Sequence, residues 1–411
     1  MNQHTEKSHC KIRTITTFLS LGKDKTLWDA RINEASQFCQ ALSEKFKISG
    51  YQVQSIRIVT NPFGEYLDTR SLTSASADLA TLRRLINASS QDDTRVRFAI
   101  GEAKTAHEIS LLPELIKEFG DLCNACVNIP IDENFILDNQ MIEHCVAAVQ
   151  RTSQITANGQ GNFNLTVNFN CQPLIPYFPA SYHLSELGDR FVIGLETPDL
   201  LVNVLKAQSN IIDHQARMHS CSQAMSDALH LHIQKINHIV EEANINSSFE
   251  FAGFDSSAAP SKDCASMVDI YRLLGVDYFG APGTTEASAL LTRVFKSVKS
   301  VPLVGFSGLM LAVTEDTGLA QGTIDQQFDI RTLLTNSAVC GIGLDTVPIP
   351  GDTSASDIAA LMRDTGTMAF RLNKPLTVRL FPVPGLQAGD MTNFVGDDLC
   401  NCAVMAVSQS I

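Results

Sequence analysis

Short apolar or alternating runs take turns with amphipathic stretches along almost the whole chain, and this alternation restricts the fold more than any other feature. Val96, Phe98 and Ile100 alternate as a strand with one buried face; Leu165, Val167 and Phe169, and then Leu376, Val378 and Leu380, repeat the pattern. Between such runs, Trp28, Ile32, Ala35, Cys39, Leu42 and Phe46 step by four and three, which lines one face of a helix. Met225, Leu229, Ile233, Ile236, Val240 and Ala243 form a similar stripe in a long helix expected over 213–244. Further strands are expected at 12–20, 52–59, 191–196, 249–255, 303–313 and 339–347. Helices are expected around Leu79, Leu82 and Ile86, at 106–119, from an Asp138 cap to Arg151, after Thr197-Pro198, and at 260–274, 286–298, 330–336 and 355–372. The proline-containing stretch 172–182 reads as a rim loop. Roughly ten strands with helices between most of them predict an α/β fold. No low-complexity linker divides the 411 residues, so they read as one domain.

Composition narrows the partners. The formal net charge of −13 repels phosphate backbones, which argues against nucleic acid. The longest apolar run, 303–313, is short of the ~20 residues that span a bilayer, and the polar start of the chain lacks a signal-peptide core. Eleven scattered cysteines read as reduced thiols. Together these predict a cytoplasmic protein with neither a nucleic-acid nor a membrane partner. A small-molecule ligand is the expected partner, and a homodimer is left open.

Familiar motifs are missing. Gly341 and Gly343 give G-x-G without the third glycine of a dinucleotide site, and Gly305-Phe306-Ser307-Gly308 is not a serine-hydrolase elbow. Cys123 and Cys126 form a lone C-x-x-C, two ligands short of structural zinc. The five histidines of the long helix include no pair four residues apart, so they form no helical metal clamp.

The acidic residues carry more. Glu196, Asp255, Glu315, Asp316, Asp345, Asp352 and Asp390 all fall at expected strand ends or in the turns that follow, where α/β folds bind ligands. Glu315, Asp316 and Asp345 are candidate ligands for Mg²⁺ or Ca²⁺, the cofactors such carboxylates would take. Asp255 and Asp345 are candidate acid–base groups, with His183 as base or ligand just after the proline loop. Cys340 becomes a nucleophile if a nearby cation lowers its pKa. Tyr182, Thr284, Thr285 and Arg379 are candidate substrate-binding groups, and Arg379 either pairs with an acid or grips an anion. The plainer alternatives are helix caps for Asp316 and Asp352, structural hydrogen bonds for His183, and a small buried thiol for Cys340.

Eight segments, taken in order, are RTITTFLSL (13–21), FPASYH (178–183), FVIGLE (191–196), FDSSAAPS (254–261), GAPGTTEASALL (280–291), GFSGLMLAVTEDTGLA (305–320), CGIGLDTVPIPGDT (340–353) and RLFPVPGLQAGDMTNF (379–394). With them the chain resembles the domain-of-unknown-function 711 family, also called uncharacterised protein family 0210. The resemblance implies a single α/β barrel domain over 1–411, ten-stranded like pyruvate formate-lyase and anaerobic ribonucleotide reductase. In that architecture a central hairpin carries a cysteine inside, the place Cys340 takes by analogy. The glycyl-radical loop of those enzymes has no counterpart: Asn393-Phe394-Val395-Gly396-Asp397 stands where it would lie, and Cys340 has no adjacent cysteine. The expected function is therefore a non-radical enzyme using carboxylate/His acid–base chemistry on a small polar or anionic molecule. The alternative is a non-catalytic ligand-binding or regulatory protein on the same fold.

Overall fold

A computed structural model describes residues 9–90, 96–243 and 247–408. Its strands are β1 (Lys11–Leu19), β2 (Ile56–Thr60), β3 (Val96–Glu102), β4 (Asn124–Ile129), β5 (Leu165–Phe169), β6 (Arg190–Glu196), β7 (Glu250–Asp255), β8 (Gly343–Pro350) and β9 (Leu376–Val383). Its helices are α1 (Trp28–Ile48), α2 (Leu72–Ser89), α3 (Ala106–Phe119), α4 (Asn139–Ile155), α5 (Pro198–Lys206), α6 (His214–Ala243), α7 (Met267–Leu273), α8 (Thr284–Phe295), α9 (Thr317–Ile324), α10 (Ile330–Asn336) and α11 (Ala355–Arg371).

The strands form one sheet in the order β7-β6-β1-β2-β3-β4-β5-β9-β8. The run β1 to β5 is parallel. The pairs β6–β7 and β8–β9 are also parallel within themselves. The two sets meet antiparallel at β1–β6 and β5–β9. Among the described residues the sheet therefore has nine strands, not ten.

Each strand divides its side chains between two environments. Ile56 and Ile58, Phe98 and Ile100, Leu165 and Val167, and Leu376 and Val378 join the main core with the helices. On the other face Phe18, Val59, Ala99 and Val192 form a smaller cluster against Leu174, Phe178 and Val304. Both faces are thus covered, which is why β2, β5 and β9 are buried along their whole length. The helical stripes point into the main core as their spacing predicts: Trp28, Ile32, Ala35, Cys39, Leu42 and Phe46 of α1 are all buried. Thr105 and Glu108 close a capping box at the start of α3.

Four expectations change. The run 303–313 is not a strand but a buried irregular segment, touching β7 through the Leu303–Phe254 bridge and β8 through the Ala312–Asp345 bridge. Gly305 (φ 64°) and Ser307 (φ 39°) take it out of the extended conformation. From Phe306 to Val313 its apolar residues are buried because it runs through the interior, not because it joins the sheet. The stretch holding Cys123 and Cys126 contributes β4, a strand absent from the sequence reading, and both thiols are buried. The helix expected from Pro260 starts only at α7, where Ser266 caps it. The 172–182 loop turns inward rather than staying on the rim, and the Phe178–Pro179 peptide in it is cis.

Candidate active site

The inner face of the sheet carries charged side chains beside its small apolar cluster. Arg57 of β2 and Arg97 of β3 are direct partners in the parallel register. Arg13 of β1 sits at a bulge, where the pairing with β6 shifts between Ile12 and Thr14. Like charges side by side on a sheet repel one another. Arg97 is answered by Asp398 at 3.0 Å, and Arg13 by Glu196 at 3.4 Å and Gln54 at 3.0 Å. Arg57 has no carboxylate partner among the described residues. Its Nε donates to Ser55 Oγ at 3.3 Å and its Nη1 to the Pro176 carbonyl at 3.1 Å. The guanidinium lies 4.8 Å from the centre of the Phe178 ring. Arg57 is only 6% exposed. Burial, reinforced by Arg97 and Arg13, pushes its pKa down to about 9.

A second charged group lines the same cavity. Arg379 Nε donates to Asp345 Oδ1 at 2.7 Å, its Nη2 to Glu315 Oε1 at 2.6 Å, and its Nη1 to the Phe163 carbonyl at 3.3 Å. Burial pushes the Glu315 carboxyl up, with Asp345 adding to the rise and Arg379 opposing it. Asp345 Oδ2 is buried and accepts no hydrogen bond from any described residue. Local backbone aims this side chain. The β8–β9 pairing shifts between Leu344 and Val347, and Thr346 takes φ 49°, a left-handed conformation that β-branched residues rarely adopt. Thr346 Oγ1 accepts the Thr314 N–H at 3.1 Å, which ties the bulge to the turn that carries Glu315. Ser307 and Ala259 also have positive φ and flank the cavity, so backbone strain gathers around it.

The cavity has a volume of about 50 Å³. Arg13, Arg57, Arg379, Glu315, Asp345 and Tyr177 form its polar wall, and Phe306, Met310 and Ile342 lie on the apolar side. Arg13, Arg57, Phe178 and Glu315 also line a second chamber of about 140 Å³ that reaches Arg97 and Asp398. Gly120, Phe163, Asn164 and Asp398 in turn connect that chamber to an outer groove of about 380 Å³ between α3, α4 and the 396–399 turn. The three cavities share lining residues in sequence and so lie next to one another between the surface and Asp345.

A family model described as Uncharacterised ACR (DUF711) matches residues 3–399. The chain belongs to the DUF711 family. It is 31% identical over 253 residues to a UPF0210 protein of Pyrobaculum aerophilum, covering 59% of this chain and 54% of that protein. It is 23% identical over 436 aligned positions to a UPF0210 protein of Methanosarcina barkeri, covering 99% of this chain and 92% of that protein. A UPF0210 protein of Desulforudis audaxviator is 30% identical over 300 residues, 70% of this chain and 64% of that protein. The chain thus spans just over half the length of the first relative and nearly all of the second.

In this DUF711 chain the expected site residues separate into one group that converges and several that do not. Glu315, Asp345 and Arg379 meet at the cavity. Arg379 is engaged by both carboxylates, so it holds protein acids in place of a ligand anion. Asp255 lies behind the wall, where Oδ2 accepts the Phe306 N–H at 2.8 Å and Oδ1 accepts those of Ser257 at 3.0 Å and Ser307 at 3.1 Å. It pins the interior segment to β7, and burial pushes its pKa up to about 6. Asp316 caps α9 through Gly318 and Leu319 and also accepts the Met267 N–H at α7. His183 is buried beside Phe18, its pKa pushed down by burial to about 4, and does not line the cavity. Tyr182 donates to the Cys171 carbonyl, Thr284 closes its own turn onto the Ala281 carbonyl, and Thr285 is exposed on α8. Cys340 is fully buried, its Sγ accepting the Gly343 N–H at 3.4 Å, and the segment that runs through the interior holds no cysteine.

Among the described residues no group of three or more His, Cys, Asp or Glu side chains is placed to hold a metal ion. The reason is local. The oxygens of Asp316 are filled by helix N–H groups, and Glu315 and Asp345 are bridged by a guanidinium.

Sequence reasoning missed Arg13, Arg57 and Arg97. The signal was an arginine between apolar neighbours at the same phase of consecutive strands, as in Ile56-Arg57-Ile58 and Val96-Arg97-Phe98. A charge there points to the face of the strand opposite the apolar core.

Proposed function

We propose that this chain is an enzyme that holds a small anionic molecule at Arg57 and moves a proton through Asp345. One observation carries the reading. A buried guanidinium without a carboxylate partner among the described residues lines the same cavity as Asp345, whose Oδ2 is buried and accepts no hydrogen bond. A buried charge left unpaired in this way is costly, and an incoming anion removes the cost. Asp345 supplies an acceptor fixed in place by Arg379, which is what a general base requires. The small inner volume favours a substrate of a few heavy atoms, or a small reacting group with the remainder in the second chamber.

The ten-stranded barrel of the pyruvate formate-lyase type belongs to the same proposal. The 303–312 segment, bridged to β7 at one end and β8 at the other, would bring the two sheet edges around the cavity.

The test is a thermal-shift screen of purified protein against acetate, lactate, pyruvate and malonate, with native mass spectrometry for bound acids. Binding by the wild type that disappears in Arg57→Met is expected. Equal shifts in both proteins would remove the reading.

A further inference from the structure

The charges around the cavity can be counted wall by wall. On the sheet side Arg97 is balanced by Asp398, and Arg13 and Lys11 together by Glu196 and Asp199, while Arg57 is left over as one positive charge. On the opposite side two carboxylates, Glu315 and Asp345, share the single guanidinium of Arg379, which leaves one negative charge over. The inner chamber is therefore neutral as a whole but polarised, cationic at one wall and anionic at the other. A simple anion answers only the first wall. It leaves Asp345 Oδ2 buried beside it without a donor.

From this polarity we infer that the ligand is a small zwitterion of the amino-acid class, its carboxylate on Arg57 and its ammonium on Asp345 Oδ2. The inference rests on the anion reading of Arg57 and goes beyond it by naming the opposite group. Three further features agree with it. Asp345 Oδ2 is the one carboxylate oxygen among the described residues that is buried and accepts no hydrogen bond. An ammonium brings three donors and a full charge, where a hydroxyl brings one donor and none. The inner chamber of about 50 Å³ shares four lining residues with the second chamber of about 140 Å³, and the two together have room for a two- or three-carbon amino acid. A larger side chain would leave through the waist between Arg13, Arg57, Phe178 and Glu315 into the second chamber.

The geometry also separates two roles at Asp345. Its Oδ1 is committed to Arg379, so Oδ2 alone meets the ligand. In the bound state an ammonium there pairs with the leftover negative charge, and transfer of one N–H proton to Oδ2 leaves a neutral amine and a neutral carboxyl. The proton count is conserved and no further reactant is needed for that step.

The test is calorimetric titration of the full chain at pH 7 with glycine, L-alanine and L-serine, with glycolate and L-lactate as hydroxy analogues, and with ethylamine as the cation alone. The expected result is that alanine binds at least about 10-fold tighter than lactate and that ethylamine does not bind. Asp345→Asn should bring alanine down to the lactate level. Arg57→Met should weaken alanine and lactate alike, by about 100-fold for loss of a buried charge partner. Circular dichroism and melting curves of each variant show that it is folded. Lactate binding as tight as alanine, with loss of both in Arg57→Met, would overturn the zwitterion and leave the anion reading standing. Binding that is indifferent to Arg57→Met, or no binding by any probe, would overturn both.

Discussion

Replacing Arg57 with methionine should make the ligand-free protein more stable, the reverse of what removing a buried, hydrogen-bonded side chain usually does. The drop of the guanidinium from its ordinary value to about 9 corresponds to about 5 kcal/mol of unfavourable charge burial. The sign follows from the proton count. Below pH 9 the group is charged in the folded and unfolded chains alike, so the cost is felt in full, and it fades only as pH rises above 9 towards the ordinary arginine value. Solvation of the cation within the cavity would reduce this figure, which makes it an upper value. Against it stand the hydrogen bonds to Ser55 Oγ and the Pro176 carbonyl, at about 1 kcal/mol each, and the Phe178 stacking, at about 0.5–1 kcal/mol. Neither acceptor is stranded by the change, because Thr16 Oγ1 also donates to the Pro176 carbonyl and Ser55 Oγ itself donates to the Arg13 carbonyl. The balance is a gain of about 1–3 kcal/mol, which for a chain of this length raises Tm by about 1–3 °C. Differential scanning calorimetry of both proteins at pH 7 in an inert buffer measures it. A Tm lowered by 3 °C or more would mean that Arg57 already has its partner inside the protein, and the argument for a ligand anion would fall with it.

Arg379→Met should act in the opposite direction, losing about 3–5 kcal/mol in urea denaturation, because it strands two buried carboxylates. The contrast between two buried arginines is the check. Asp255 has its folded-state pKa raised to about 6 from 3.8, so the folded chain takes up its proton first as pH falls. The wild type should therefore gain up to about 3 kcal/mol relative to Asp255→Asn between pH 7 and pH 4, read from paired urea titrations. Asp316→Ala should cost about 2–3 kcal/mol by uncapping α9 and releasing the Met267 N–H, with the affinity of any bound acid unchanged in titration. Gly341→Ala places a Cβ 2.8 Å from Gly308 Cα and should cost about 1–3 kcal/mol in the same denaturation assay. It should also weaken ligand binding, because it pushes on the segment that carries Phe306 and Met310.

The site was only partly legible in the chain. Asp345, Glu315 and Arg379 could be singled out because a charge at the end of an apolar strand must find a partner. Their joining into one ion-paired group depends on β8 and β9 lying side by side and on the turn after 312 returning beside them. Asp316 is next to Glu315 in sequence yet serves a different purpose, since consecutive residues at a helix start face opposite ways. Asp255 and Asp345 are alike in sequence terms, each an acid on a buried strand. The difference is that Asp255 meets three backbone N–H groups, while one oxygen of Asp345 meets none.

Periodicity alone determined the helices and most of the strands, because whether a side chain can be buried depends on its local phase along a helix or strand. It determined α3 from end to end and the buried stripe of α1. What only the tertiary structure decided was which strands are neighbours, and so that Arg57 lies opposite Arg97 in register and shares a cavity with Asp345 from the far end of the chain. The apolar run 303–313 shows the physical reason. Burial is set by the whole fold, and a segment can be apolar because it fills the interior as readily as because it belongs to a sheet.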